Sequence, residues 1–278
     1  MHDTQSRIAR HDRYAHGYSE SVLRSHAART AATCFPYGLA HLHPGMTVLD
    51  VGCGPGTITA DIARLVSPGQ VIGVDVEPAV LDQAREHAAS VGVTNVEYQI
   101  GDAYALDFPD GTFDLTHIHM VLHHVTDPVA VLRELSRVTR PGGIVAARET
   151  DIPTITWYPD SHGLDEWRRL FAESIRANGG DPTSGRHLLA WAHAAGLADV
   201  TSTSSAWTYS AGESARWLGE SWADRMLTSD MASQLIEEGL ATRADLEAVA
   251  RSWLEWAEHP DAWLIMPSAE ILAIRPAG

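Results

Sequence analysis

Three aspartates, three closely set glycines and four crowded histidines are the residues of this sequence whose types and spacing could do chemistry. The glycines lie in Val48-Leu49-Asp50-Val51-Gly52-Cys53-Gly54-Pro55-Gly56-Thr57, an apolar run that passes into a turn. Glycine tolerates the positive φ angles of such turns and lets a bulky ligand approach the main chain. A helix beginning near Thr57 would add N–H groups for a negatively charged part of that ligand. A dinucleotide turn, G-x-G-x-x-G, needs glycine where Thr57 stands; here the third glycine, Gly56, comes one residue early. Asp50, two residues before the first glycine, would repel a pyrophosphate and attract a cation. The pattern suits a ligand with an ammonium for Asp50 and a carboxylate for the amides of the turn.

The elements that must position these residues follow from periodicity and punctuation. After the turn come a short β-branched run, Gln70 to Val76, and a helix opened by Glu77-Pro78. Val96 to Ile100 and Phe113 to Met120 read as further strands, and Asp127-Pro128 is an N-cap and N1 pair for a helix that stops at Arg140-Pro141-Gly142-Gly143. Ile144 to Ala147 makes a fifth strand. Strands alternating with helices at this spacing predict βαβ units and a mostly parallel sheet. Before the turn, Ser19 to Leu42 suggests one or two helices. Beyond residue 150, Leu164 to Asn178 and Leu188 to Ala195 read as helices, Val200 to Tyr209 as a strand, Ser214 to Glu258 as a mainly helical insertion and Trp263 to Ile274 as a last strand. The expectation is one α/β domain over 1–278, with a helical lid in 1–43, a ligand-binding core in 44–150, and further strands plus helical cleft insertions in 151–278.

Composition narrows the chemistry. The net charge of −16 argues against a nucleic-acid partner, whose phosphates call for a basic surface. None of the twenty basic residues is lysine, which removes Schiff-base chemistry and the P-loop lysine. Two cysteines, Cys34 and Cys53, form no disulfide framework and fit a cytoplasmic location, and no stretch is apolar enough to suggest membrane insertion. The expected partner is a small molecule, with a homodimer left open.

The ordered set VLDVGCGPG, GVDVEP, GDA, FDLTHIHMVLHHVTDP and RPGG resembles the class I S-adenosylmethionine-dependent methyltransferases over roughly Thr47 to Ala147. The resemblance implies a doubly wound, mostly parallel seven-stranded sheet of Rossmann-like methyltransferase type, with helical insertions after the fifth strand and before the last. It implies S-adenosylmethionine as cofactor and S-adenosylhomocysteine as product. Gly52, Cys53, Gly54 and Gly56 would line the methionyl part beside Asp50. Asp75 would accept both ribose hydroxyls, Val76 would pack on the adenine, and Asp102 would bind the adenine amino group with Ala103 alongside. His119 would help line the cofactor. In similar enzymes helices ahead of the first strand close over the cofactor, which makes Tyr14, Tyr18, His26 and Arg29 candidates there; His26 and Arg29 would share a helix face.

Methyl transfer from a sulfonium asks the protein for alignment, exclusion of water and, for a hydroxyl, amine or acidic carbon, a base. Histidine suits that task, and His123 and His124 are the candidates. His117 and His119 share a strand face at metal-ligand spacing, but no third ligand is evident and no metal is expected. All nine tryptophans lie after residue 150, where they either pack insertion helices or wall an apolar or aromatic acceptor site. Chemistry other than methyl transfer on the same cofactor, a non-catalytic cofactor-binding protein and a nicotinamide-dependent oxidoreductase are the alternatives.

Overall fold

The computed structural model describes residues 29–277; Tyr14, Tyr18 and His26 lie outside the described residues. Its centre is an eight-stranded sheet. Strands β1 (Thr47–Val51), β2 (Gln70–Asp75), β3 (Val96–Ile100), β4 (Phe113–His119) and β5 (Thr139–Thr150) are mutually parallel. Strands β6 (Thr156–Tyr158) and β7 (Ala198–Ser210) both pair antiparallel with β8 (Trp263–Ile274), which also pairs antiparallel with β5. The spatial order is β3-β2-β1-β4-β5-β8-β6, with β7 on the other edge of β8. Seven of these strands coincide with the runs read from the sequence. The eighth, β6, has only three residues and too little pattern to betray itself.

Helices cover both faces because the central strands are apolar on both. Val48, Val71 and Leu115 pack beneath α1 (Ala31–Cys34), α2 (Thr57–Val66) and α3 (Pro78–Ser90). Leu49, Val51 and Ile118 pack beneath α4 (Pro128–Val138) and α6 (Ser184–Ala194). This division follows the two-residue alternation of a strand. Local signals set the helix ends: Asp127 accepts from the Ala130 amide at 2.9 Å with Pro128 next to it, and Glu77 caps α3 in the same way. Helix α4 ends at Val138, two residues before Arg140, and the Arg140-Pro141-Gly142-Gly143 stretch is already part of β5.

The insertion helices make a core of their own. Helices α5 (His162–Ala177), α7 (Glu213–Thr228), α8 (Asp230–Glu237) and α9 (Arg243–Ala257) enclose Trp167, Trp222, Trp253 and Trp256. Trp167 and Trp253 have no exposed surface, and their rings meet edge to face with centroids 4.8 Å apart. Edge-to-face contact sets the negative face of one ring against the positive rim of the other. This block seats the insertion over the carboxyl ends of the strands. Trp253→Ala is expected to lower stability by about 3–5 kcal/mol in denaturant unfolding, as large aromatic truncations in cores do; a loss below about 1 kcal/mol would show that the block is not what holds the insertion.

Candidate active site

Strand order reverses at β1, whose neighbours are β2 and β4, and in open α/β sheets ligands bind beyond the carboxyl ends at such a point. A cavity of about 1490 Å³ opens there, lined by the glycine turn, Asp75, Val76, Asp102, Ala103, His119, His123 and His124, and by residues of β7 and α7. Drug-sized ligands occupy pockets of roughly 300–1,000 Å³, so this space has room for two such molecules side by side.

In the glycine turn Gly52, Gly54 and Gly56 all have positive φ, at 69°, 53° and 75°. The turn is tight for the protein's own sake as well as a ligand's. A Cβ on Gly52 would stand 2.3 Å from Cγ2 of Val121, and one on Gly56 would meet Tyr98 and Ala84 within 2.7 Å. The turn's amides are also engaged internally. Those of Gly52 and Cys53 donate to the Val74 carbonyl, that of Gly54 to Asp75 Oδ2 at 3.0 Å, and that of Gly56 to the Cys53 carbonyl. A ligand carboxylate at this end must therefore find other donors. Arg29 lines the same cavity, with its guanidinium 5.4 Å from the Trp207 ring centre. Arg29, the first of the described residues, stands immediately ahead of the Thr30 cap of α1.

Asp50 is buried under the turn. One oxygen accepts from Thr59 Oγ1 at 2.6 Å and the other lies 2.7 Å from Nδ1 of His117, the residue opposite it in β4. This carboxylate lines the cavity and also fastens β1 to β4 and to the first turn of α2. Asp75 ends β2 with one oxygen on the Gly54 amide and the other on the Glu77 amide. Burial raises its pKa above the ordinary carboxylate value, against the lowering effect of those amides and that of Val76. Each Asp75 oxygen keeps a lone pair, which suits a diol. Val76, half exposed, offers an apolar face to the cavity, and Asp102 turns one oxygen to the Tyr104 amide at 2.9 Å. Burial, then the charge of Asp50, pushes the Cys53 thiol well up, which suits a small packing residue and not a nucleophile.

The histidines divide into two groups. His117 is bound to Asp50, and its ring lies parallel to that of His119 at 6.2 Å, with His119 facing the cavity. Beyond β4 the chain forms a short 3-10 turn, Leu122–His124, that carries His123 and His124 to the cavity wall. His123 Nδ1 lies 2.6 Å from Oε2 of Glu149, whose other oxygen accepts from the amides of Val121 and Leu122 at 2.8 and 2.7 Å. Glu149 has no exposed surface. Sequence reading passed over it, although two charges, Arg148 and Glu149, at the end of an apolar strand were the available signal. Among the described residues no group of three His, Cys, Asp or Glu side chains is placed to hold a metal ion.

The cavity is also walled by Tyr209, Trp217, Trp222, Phe171 and Met266, and by Trp207, whose ring centre is 6.0 Å from that of His119. The tryptophans thus serve both purposes considered from sequence: Trp167, Trp253 and Trp256 are core, Trp207 and Trp217 face the cavity, and Trp222 belongs to the core and lines the cavity as well. Trp207 also lies on Arg148, which is buried and ion-paired with Glu270 at 3.4 Å. No helix among the described residues is long and apolar enough to cross a membrane.

A family model described as a methyltransferase domain matches residues 42–196. An uncharacterized methyltransferase of Schizosaccharomyces pombe is 34% identical over 267 residues, covering 93% of this chain and 95% of that protein. The ubiquinone/menaquinone biosynthesis C-methyltransferase of Escherichia coli is 42% identical over 113 residues, 40% of this chain and 45% of that protein. Among solved structures, the YcgJ protein of Bacillus subtilis superposes with a TM-score of 0.58 at 20% identity, over 88% of this chain and 97% of that one. A [4+2]-cyclase, SpnF, superposes with a TM-score of 0.54 at 21% identity, over 97% and 89%. The ordered motifs, the sheet with its antiparallel strand β8, the family match and the full-length relative agree: this chain belongs to the class I S-adenosylmethionine-dependent methyltransferases.

Proposed function

We propose that the enzyme transfers the methyl group of S-adenosylmethionine to a small apolar or aromatic metabolite, with His123 taking the acceptor's proton. One observation carries the reading: a single cavity is lined by the glycine turn, Asp75 and Asp102, by the aromatic side chains of Tyr209, Trp217 and Trp222, and by His123 and His124. The groups at and around the turn fit the cofactor. Asp75 would hold the ribose, Val76 and Ala103 the adenine faces, Asp102 the adenine amino group, and Asp50 and Arg29 the two charges of the methionyl part. Gly52, Cys53, Gly54, Gly56 and His119 would shape the cofactor's site by close packing. Bound there, the cofactor supplies an electrophilic methyl on a sulfonium that departs as a neutral thioether. The acceptor end excludes water and aligns the incoming atom, which is most of what such a displacement asks of a protein.

His123 is favoured over His124 as base because Glu149 fixes its ring. A general base contributes roughly 10²- to 10⁴-fold. His123→Ala should therefore lower kcat by about that factor and leave S-adenosylhomocysteine affinity unchanged, with His124→Ala affecting kcat much less. Equal turnover by wild type and His123→Ala would remove His123 from this role. A cyclase of this fold keeps in view chemistry other than methyl transfer, which would proceed without forming S-adenosylhomocysteine.

The cofactor assignment is tested by calorimetry with S-adenosylhomocysteine and NADH. Only the first should bind. The carboxylate form of Asp75 is the one that accepts from a diol, and its pKa lies above the ordinary value, so protonation begins at a higher pH than usual. Affinity for S-adenosylhomocysteine should thus fall on acidification before ordinary carboxylates titrate, near pH ~4. Asp75→Asn should bind weakly at neutral pH and lose this acid-side decline. NADH binding, or an Asp75→Asn protein with wild-type affinity, would contradict the assignment.

A further inference from the structure

We infer that Glu149 is the positioning residue of the methyl-transfer site: it fixes the tautomer of His123 and ties the base to the cofactor turn. The inference rests on the reading of His123 as the base and goes beyond it by assigning how the base is held. Glu149 stands at the end of β5, fully buried, with its two oxygens serving different tasks. Oε1 accepts from the main-chain amides of Val121 and Leu122, and Oε2 lies 2.6 Å from Nδ1 of His123.

A buried carboxylate is a pure acceptor, so the hydrogen between Oε2 and the ring sits on Nδ1. That leaves the lone pair of a neutral His123 on Nε2, the nitrogen available to an acceptor. In transfer, the acceptor's O–H, N–H or C–H bond would give its proton to Nε2. The acceptor's electron pair would form the new bond to the methyl carbon as the carbon–sulfur bond breaks. The ring then carries a positive charge, and the charge of Glu149 lies against its Nδ1–H side. Glu149 touches neither acceptor nor cofactor in this account; it acts through His123.

The same carboxylate reaches the cofactor end through Val121. Its hydrogen bond pins the Val121 amide, and the Val121 side chain fills the space that a Cβ on Gly52 would need, 2.3 Å from Cγ2. The loop after β4 is thus clamped between β5 and the glycine turn. His123 and the turn are thereby joined through one residue, Val121.

Glu149→Gln is the discriminating change because it keeps shape while altering hydrogen-bond sense. Its carbonyl oxygen can still accept from Val121 and Leu122, whereas its amide nitrogen would donate to His123 Nδ1. The ring must then carry its hydrogen on Nε2 and cannot act as a base. In the apo protein, ¹⁵N NMR of labelled histidine should show His123 protonated on Nδ1 in wild type and on Nε2 in Glu149→Gln. With that switch kcat should fall about 100-fold or more, and S-adenosylhomocysteine affinity should stay within about twofold. Glu149→Asp, which keeps the acceptor character, should retain the Nδ1–H tautomer and recover part of kcat. An Nε2–H ring in the wild type, or a switched tautomer in Glu149→Gln with unchanged kcat, would overturn the inference. If His123→Ala itself proves fully active, it is the base assignment that has failed; if His123→Ala is inactive and Glu149→Gln active, it is the positioning role.

Discussion

A carboxylate held wholly out of water is the constraint on which the rest of this site depends. Glu149 lies at the end of β5 with no exposed surface, and removing an ion of that size from water costs several kcal/mol unless hydrogen bonds replace the hydration. Three donors replace it, the amides of Val121 and Leu122 and the ring of His123. From that requirement follow the 3-10 turn after β4, the orientation of its first histidine and the seating of Val121 against the glycine turn. An apolar residue of similar size would leave two buried amides without partners, so a side chain with an acceptor oxygen is needed here for structure as well as for chemistry.

Asp50 answers the same problem on β1, two strands from β5 with β4 between them. It is buried below the turn, satisfied by Thr59 and His117, and so fastens β1 to α2 and β4. These two carboxylates divide the carboxyl edge of the sheet between them, one beneath the glycine turn and one behind His123. The remaining acids of the cofactor end, Asp75 and Asp102, lie at strand ends with one or both oxygens on main-chain amides, which fixes their direction without exhausting their acceptor capacity. Over this edge the insertion helices set an aromatic block whose interior is structural and whose cavity side is available to an acceptor.

The first half of the chain was legible in sequence because its signals are local. Alternating apolar runs, the cap Asp127-Pro128 and the glycine spacing each act within a few residues, and the strands and helices from residue 47 to 138 fall where they predict. What escaped is what register decides. Asp50 and His117 are 67 positions apart and meet only because β1 and β4 pair with them opposite. Glu149 reaches His123 through the pairing of β4 with β5, which no spacing in the sequence announces. The turn was read as open to a ligand's carboxylate, but its amides are spent on Val74, Asp75 and Cys53, a consequence of how β2 lies beside it. Among the tryptophans, only packing separates Trp253, sealed in the core, from Trp217 at the cavity, since both sit on insertion helices.

Following the methyl group decides whether one cavity brings a sulfonium cofactor and a small apolar or aromatic acceptor together. The protein is incubated with methyl-labelled S-adenosylmethionine and a metabolite extract of the cells that produce it, and the mixture is read by mass spectrometry. Label is expected to enter a small apolar or aromatic product in equal amount with the S-adenosylhomocysteine formed. Label confined to macromolecules, or an acceptor rearranged without any S-adenosylhomocysteine, would contradict it.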